Sequence, residues 1–263
     1  MEIKTVKVND IEMEYGTFGS GERAFVILPG AATQSVLLSS MTVEAAYRMF
    51  GDEYTVYLFD RRKNMPSPYP VRQMAADTAA VMRALGIKGA DIFGASQGGM
   101  IAMCIAIDSP DLVRGLALGS TASYADERII ERIGKWITLA KSGDMTALSK
   151  EMINSLFSEK TVSQYGDILI HMNDNLSKRD LERFILQAEA INGFDVYDEL
   201  DKIACPTLVI GVEGDKVLPC EHSKKIAEKL GCELYLYGSE YGHCAFDEAP
   251  DYKQRLLSFY HTI

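Results

Sequence analysis

The 263-residue sequence lacks the features of a membrane-spanning, exported or disulfide-stapled protein. No apolar run reaches the length of about 18 residues that a membrane-spanning helix needs, and residues 1–4 do not begin a signal peptide. The five cysteines are an odd number without the spacing of a disulfide framework. We therefore expect reduced thiols, no membrane association and a cytoplasmic location.

Positive charge is also scarce, because 27 Lys and Arg residues stand against 37 Asp and Glu residues, a net charge of -10. This excess of negative charge repels phosphate backbones, and the cluster Arg61-Arg62-Lys63 is too short to reverse it. We expect no nucleic-acid partner. Clusters of Cys and His with the spacing of metal ligands are missing as well, so the sequence predicts neither a metal nor a cofactor.

The order of apolar segments along the chain indicates the fold class. Alternating residues predict an opening antiparallel pair of strands at 3–8 and 11–18, followed by a buried strand at 24–28. Further apolar strands are predicted at 54–59, 90–93, 112–118, 207–211 and 233–237. They alternate with helix-length segments near 38–50, 71–85, 97–108, 221–230 and 250–262. This alternation is typical of an α/β fold with a mostly parallel central sheet and helices on both faces.

The alternation stops between residues 121 and 200, where the sequence has no convincing strand. Apolar residues at helical spacing predict two helices there, one at Ile130, Ile133, Ile137 and Ala140 and one at Leu181, Phe184, Ile185 and Ala188. We expect a core domain of residues 1–120 and 201–263 with a helical insertion at 121–200. Such an insertion lies where ligands bind in open α/β sheets, so we expect a lid, with an ordinary helical subdomain as the alternative.

The segment Gly94-Ala95-Ser96-Gln97-Gly98 connects a short apolar run to a helix-like segment. A serine at the apex of such a turn projects its hydroxyl above the sheet, and flanking glycines avoid a collision between strand and helix. The segment therefore predicts a nucleophile elbow at Ser96. The same pattern also arises by chance, so the prediction depends on a base, an acid and an oxyanion site elsewhere in the chain.

The base must be one of four histidines. His171 lies in the insertion, His222 opens a helix, and His261 lies near the end of an amphipathic segment. His243 is the predicted base, because it follows the last predicted strand in a loop, where a side chain can reach the elbow serine.

Asp215 is the predicted acid that orients the histidine, since it occupies the turn after the buried strand 207–211. Glu213 in the same turn and Asp126 after the preceding strand are competing candidates. The chain order of serine, acid and histidine agrees with the order in one class of hydrolases.

An oxyanion site needs two N–H donors that point at the developing negative charge. The backbone N–H of Gln97 is the first predicted donor, because it begins the helix after the elbow. The second is expected in the loop after the buried strand 24–28, where Pro29 has no N–H and Gly30 permits a tight reversal. We predict Ala31 as this donor, and Ala32 remains open.

Together these motifs resemble the α/β-hydrolase family over nearly the whole chain. The residues that carry the resemblance are Gly30 after a strand, Asp60-Arg61-Arg62, the Ser96 elbow, the Asp215 turn, the Gly242-His243 loop and the run Cys205-Pro206-Thr207-Leu208-Val209-Ile210. The resemblance implies an α/β-hydrolase fold. It also implies that epoxide hydrolases and haloalkane dehalogenases are excluded, because they would need aspartate at position 96.

Two stretches depart from the family pattern. Pro29-Gly30 stands where members usually have His-Gly. Residues 60–67 lack both glycines of the usual Asp-x-Arg-Gly-x-Gly-x-Ser. The triad is untouched, but we expect another path for the loop beside the pocket, so the substrate cannot be carried over from the family.

The motifs predict a serine hydrolase that cleaves carboxylic esters of small soluble substrates through an acyl-enzyme intermediate. Lactone opening, thioester or carbon–carbon bond hydrolysis and acyl transfer are alternatives on the same triad, and a ligand-binding sensor is a further one. We expect Gly30, Trp136 and Phe157 at the substrate pocket, with core packing of the insertion as the alternative for the two aromatic residues. The oligomeric state is left open.

Overall fold

The strands form one sheet in the computed structural model, which describes residues 1–171 and 176–263. They are β1 (Glu2–Val8), β2 (Ile11–Phe18), β3 (Arg23–Leu28), β4 (Tyr54–Arg62), β5 (Ala90–Ala95), β6 (Val113–Gly119), β7 (Thr207–Val212) and β8 (Glu233–Tyr237). Their spatial order is β1-β2-β4-β3-β5-β6-β7-β8. β2 pairs antiparallel with β1 and with β4, and the other pairs are parallel. The predicted mostly parallel sheet is confirmed.

The strand β4 is longer than the sequence predicts, because it continues to Arg62 instead of ending at Phe59. Arg62 pairs with Met13, so the ladder with β2 extends into the charged residues. Asp60 and Arg61 are buried as well. Charged residues are rarely buried unless they are paired, which is why their run resembles the start of a loop in the sequence.

Helices connect the strands and fill the insertion. They are α1 (Ser40–Tyr47), α2 (Val71–Ala84), α3 (Gln97–Asp108), α4 (Glu127–Ser142), α5 (Met145–Leu156), α6 (Glu159–His171), α7 (Lys178–Glu189), α8 (Cys220–Leu230), α9 (Ala245–Glu248) and α10 (Tyr252–His261). The helix predicted near 250–262 is shorter in the structure, where α10 covers Tyr252–His261, and Pro250 separates α9 from α10.

Both faces of the sheet carry an apolar core. Val26 and Leu28 of β3 belong to one cluster, which also contains buried residues of α2, α3 and α8. Phe25 and Ile27 belong to a second cluster, which contains buried residues of α10 such as Tyr260. Since successive strand residues point to opposite faces, the two clusters lie on opposite sides. The expected helices on both faces are confirmed.

Residues between β6 and β7 form the helices α4 to α7. The sequence predicts α4 and α7, and Ser177 and Asp180 form a capping box at the start of α7. The helices α5 and α6 were not predicted from the sequence. That residues 121–200 act as a separate lid domain stays a prediction.

The thiols of all five cysteines are unpaired. Burial raises the pKa of Cys104 to about 12 and that of Cys232 to about 11, so both are held protonated at neutral pH. Within the two described ranges, no helix is both long enough and apolar enough to cross a membrane.

Candidate active site

Ser96 lies between the last residue of β5 and the first residue of α3. Its backbone angles are φ 54° and ψ -124°, a conformation that L residues rarely adopt. The Ser96 N–H donates to the carbonyl of Gly119 at 2.9 Å, and the Thr121 hydroxyl donates to the Ser96 carbonyl at 2.7 Å. The strained turn is therefore held by the last residue of β6 and by Thr121 beyond it, and its role as a nucleophile elbow stays a prediction.

Glycines allow the elbow to close onto the neighbouring strand. A Cβ atom at Gly98 would lie 1.9 Å from the carbonyl oxygen of Leu28, so no other residue fits there without a shift of the backbone. Gly30 lies beside the nucleophile, because a Cβ atom at this position would be 3.1 Å from the Ser96 Cβ. The loop after β3 thus passes directly over the serine, where an oxyanion site is expected.

His243 and Asp215 form a buried pair. The Nδ1 atom of His243 lies 2.8 Å from Oδ2 and 3.0 Å from Oδ1 of Asp215. Oδ1 also accepts hydrogen bonds from the backbone N–H groups of Val217 at 2.8 Å and Leu218 at 2.9 Å. These two donors fix the carboxylate, which in turn fixes the imidazole, and this leaves Nε2 of His243 as the atom that can exchange a proton with a nucleophile.

The loop of His243 is anchored on both sides. The N–H of Gly242 donates to Glu248 Oε2 at 2.7 Å, and the N–H of Cys244 donates to the Leu156 carbonyl at 2.9 Å. Leu156 is the last residue of α5, so the insertion supports this loop directly. Among residues 1–171 and 176–263 no hydrogen bond joins Ser96 to His243, and this contact stays a prediction.

The competing acids have other positions. Asp126 caps α4 and lies 3.2 Å from His222 Nε2, so it contacts a different histidine. Glu213 is exposed. His261 contacts Glu53 at 3.1 Å on the surface. Of the acids weighed from the sequence, Asp215 is thus the one that contacts His243.

The His222–Asp126 pair gives a prediction about stability. Burial lowers the pKa of His222, so the folded protein keeps this ring neutral, whereas the unfolded chain takes up a proton at a pH near 6.5. This contribution to stability is present above that pH and is lost as the pH falls. We expect the free energy of unfolding to decrease from pH 7 to pH 5 less steeply in His222→Gln than in the unaltered chain, measured by urea denaturation. Equal slopes would contradict this expectation.

The structure shows which backbone N–H groups near the predicted oxyanion site already have a hydrogen-bond partner. Gln97 is the first residue of α3, and the N–H at this position has no partner within the helix. In the loop after β3, the N–H of Ala32 already donates to Gln187 Oε1 at 3.4 Å. This contact favours Ala31 over Ala32, and the second donor stays a prediction.

A buried polar network surrounds these donors, and the sequence did not predict it. Arg61 donates to the Pro29 carbonyl at 2.8 Å and to Gln97 Oε1 at 3.4 Å. Gln97 donates in turn to the Gln187 carbonyl at 2.6 Å. Burial lowers the pKa of Arg61 to about 10, so the guanidinium is still charged at neutral pH. The one sequence signal for this network is the run Asp60-Arg61-Arg62, which is among the motifs that resemble the α/β-hydrolase family.

Comparison with known proteins decides the family. A family model described as alpha/beta hydrolase fold matches residues 23–250, which is most of the chain. The chain belongs to the α/β-hydrolase fold family. The expected family, fold class and hydrolase enzyme class are thereby confirmed.

Relatives of this α/β hydrolase carry several names. It is 25% identical over 230 residues to 3-oxoadipate enol-lactonase 2 of Acinetobacter baylyi, covering 83% of this chain and 84% of the relative. It is 29% identical over 189 residues to pyrrolizixenacetamide deacetylase of Xenorhabdus hominickii, covering 69% and 68%. An α/β hydrolase from a Medee basin deep-sea metagenome library superposes with a TM-score of 0.88 at 21% identity, covering 98% and 97%.

The departures from the family pattern have a structural explanation in this α/β hydrolase. Pro29 stands where family members usually have a histidine, and its carbonyl accepts a hydrogen bond from the Arg61 guanidinium. After β4, the N–H of Lys63 donates to the Glu12 carbonyl at 2.8 Å, so the chain continues along β2 instead of turning at a glycine. That this path differs from the usual one in the family stays a prediction.

Trp136 and Phe157 are placed differently. Trp136 is 4% exposed and lies with its ring centroid 6.5 Å from that of Phe184, inside the core of the insertion. Phe157 is half-buried, and a Cβ atom at Gly242 would lie 2.5 Å from its carbonyl carbon. Phe157 is therefore adjacent to the His243 loop, and contact of either residue with substrate stays a prediction. In the described part of the chain, no group of three or more His, Cys, Asp and Glu side chains is arranged to hold a metal ion.

Proposed function

We propose that this α/β hydrolase cleaves carboxylic esters of small soluble molecules, with Ser96 as nucleophile, His243 as base and Asp215 as orienting acid. The observation that carries the proposal is the buried contact of 2.8 Å between His243 Nδ1 and Asp215 Oδ2, at the same sheet edge as the strained Ser96. A carboxylate in this position holds the imidazole in the tautomer that accepts a proton from serine.

The reaction proceeds in two steps. Ser96 Oγ attacks the acyl carbonyl while His243 takes its proton, and the alcohol leaves after His243 returns that proton to it. Water then attacks the acyl-enzyme with His243 as base, and the acid is released. The N–H groups of Gln97 and Ala31 are the proposed donors to the oxyanion in both steps.

Lactone opening is the second candidate, because the relative from Acinetobacter baylyi is named an enol-lactonase and matches over 83% of this chain. A lactone is a cyclic ester, so the same groups would perform the same steps. The alcohol then remains attached to the acid, and the product is a single hydroxy acid or its keto form.

The insertion supports a lid role in this proposal. Its helix α5 holds the His243 loop through the hydrogen bond from Cys244 to Leu156, and its helix α7 contacts the loop after β3 through Gln187. Residues 121–200 would therefore cover the site from above. The substrate pocket is proposed to lie between this insertion and the Gly30 loop, with Phe157 at its edge.

The proposal is tested by activity of the purified protein on p-nitrophenyl acetate and butyrate, γ- and δ-lactones, thioesters and carbon–carbon cleavage substrates. We expect hydrolysis of the esters or lactones and covalent labelling by a fluorophosphonate that maps to Ser96. Product analysis with added alcohols or hydrogen peroxide separates hydrolysis from acyl transfer. Absence of both turnover and labelling would refute the proposal.

A further inference from the structure

The side chain of Gln187 occupies an unusual position for a residue outside the sheet domain. It is 2% exposed and lies on α7, one of the insertion helices. Its Oε1 accepts from the Ala32 N–H at 3.4 Å, and its Nε2 donates to the Ala32 carbonyl at 3.1 Å. One amide group thus contacts both polar atoms of a residue that follows the proposed donor Ala31.

The backbone of Gln187 makes a second contact with the site. The last four carbonyls of a helix have no partner within it, and Gln187 is the third residue from the end of α7. Its carbonyl accepts from Gln97 Nε2 at 2.6 Å. Gln187 therefore contacts the proposed donor residue Gln97 through its main chain and Ala32, the neighbour of Ala31, through its side chain.

Arg61 completes this arrangement from the sheet. It donates to Gln97 Oε1 and to the Pro29 carbonyl, so the Gln97 amide is held at both ends. Buried hydrogen bonds of this kind restrict the side chains that make them, because loss of a partner in a low-dielectric interior is unfavourable. Arg61 and Gln187 thus link the side chain of Gln97 to Pro29 and Ala32, the residues on either side of the Gly30-Ala31 segment.

Polar contacts join α7 to the core in addition to the apolar packing of Phe184 and Ala188. Clefts of about 370 and 610 Å³ flank this helix, and Leu186 lines both. Arg183 adds a further contact, since it pairs with Asp60 at the end of β4. Contacts of α7 therefore reach both segments that carry the proposed donors, the start of α3 at Gln97 and the loop after β3 at Ala31.

We propose that Gln187 is a positioning residue that sets the spacing of the two oxyanion donors and thereby couples the insertion to catalysis. This inference rests on the proposed function, because the oxyanion forms in acyl transfer at Ser96. In this proposal the two contacts of Gln187 with the Ala32 peptide hold the loop of Ala31 in place beside Gln97. Loss of these contacts would release the Ala32 peptide and change the position of the Ala31 N–H relative to the Gln97 N–H.

The test replaces the amide of Gln187 by a thioether of similar size in Gln187→Met. Misplacement of a reacting group by about 1 Å lowers turnover by about a hundredfold, so we expect kcat to fall by about 10- to 100-fold with little change in KM. Binding of a trifluoromethyl ketone, which forms an oxyanion-like adduct with Ser96, is expected to weaken by the same factor. Gln164→Met, an exposed position on α6, is the matched control and keeps the original values.

The outcomes separate this inference from the proposed function. If the unaltered protein neither hydrolyses esters or lactones nor reacts with fluorophosphonate, the proposed function fails. If it does, and Gln187→Met keeps kcat within twofold or changes only KM, the role of Gln187 as a positioning residue is overturned. Should Gln187→Met not fold, Gln187→Glu retains the shape and acceptor but loses the donor to Ala32, and full kcat in that variant overturns the inference as well.

Discussion

Ester or lactone hydrolysis is expected to fall by on the order of a millionfold in Ser96→Ala, because the acyl-enzyme can no longer form. A residual rate above that of water alone is expected, since the proposed oxyanion donors and the binding pocket are unchanged. The Ser96 backbone contacts to Gly119 and Thr121 do not involve the hydroxyl. The variant should therefore fold like the parent, with its melting temperature within a few degrees of it.

Two measurements check this result. Initial rates with p-nitrophenyl butyrate report turnover, and mass spectrometry after fluorophosphonate treatment reports labelling of the nucleophile. Ser163→Ala, at an exposed position on α6, is the matched control and should keep full rate and labelling. Turnover in Ser96→Ala within tenfold of the parent would show that another group attacks the substrate, and the assigned mechanism would be wrong.

Replacement of Asp215 by asparagine is expected to lower kcat by about 10⁴-fold. An amide can still accept the N–H groups of Val217 and Leu218 through its oxygen, so the turn is preserved. Its NH₂ group would then face His243 Nδ1, which becomes the acceptor, and the proton moves to Nε2. The imidazole would present a donor to Ser96 where the reaction needs an acceptor.

Asp126→Asn is a matched control for this experiment, because it makes the same chemical change beside the other buried histidine. Asparagine caps a helix as well as aspartate does, so α4 should be retained. We expect kcat of Asp126→Asn to remain within a few fold of the parent. A large loss in Asp126→Asn together with a small loss in Asp215→Asn would reverse the assignment of the acid.

The sequence predicted those features that depend on neighbours in the chain. The elbow at Ser96 was visible because a strand, a glycine-flanked serine and a helix follow each other directly, and the strained φ of 54° is a property of that turn. The order of strands and helices predicted the sheet for the same reason. The position of Asp215 in the turn after β7 predicted that it lies at the carboxyl edge of the sheet.

Contacts between segments that are distant in the sequence could not be predicted from the sequence alone. Asp126 and Asp215 both follow a strand, and only the fold shows that one contacts His222 and the other His243. The sequence did not predict that the charged residues at the end of β4 belong to the strand. Their burial depends on partners such as Pro29 and Asp10, which lie in a loop and a turn elsewhere in the chain.

By itself the sequence determined the α/β class, the elbow at Ser96 and the chain order of serine, acid and histidine, because local geometry and apolar periodicity are written into consecutive residues. The tertiary structure decided which aspartate contacts His243, which loop N–H already has a partner, and that Gln187 joins the insertion to Gln97 and Ala32. These contacts join groups that are 28 positions apart in His243 and Asp215 and 90 positions apart in Gln97 and Gln187, and only packing brings them into hydrogen-bonding distance.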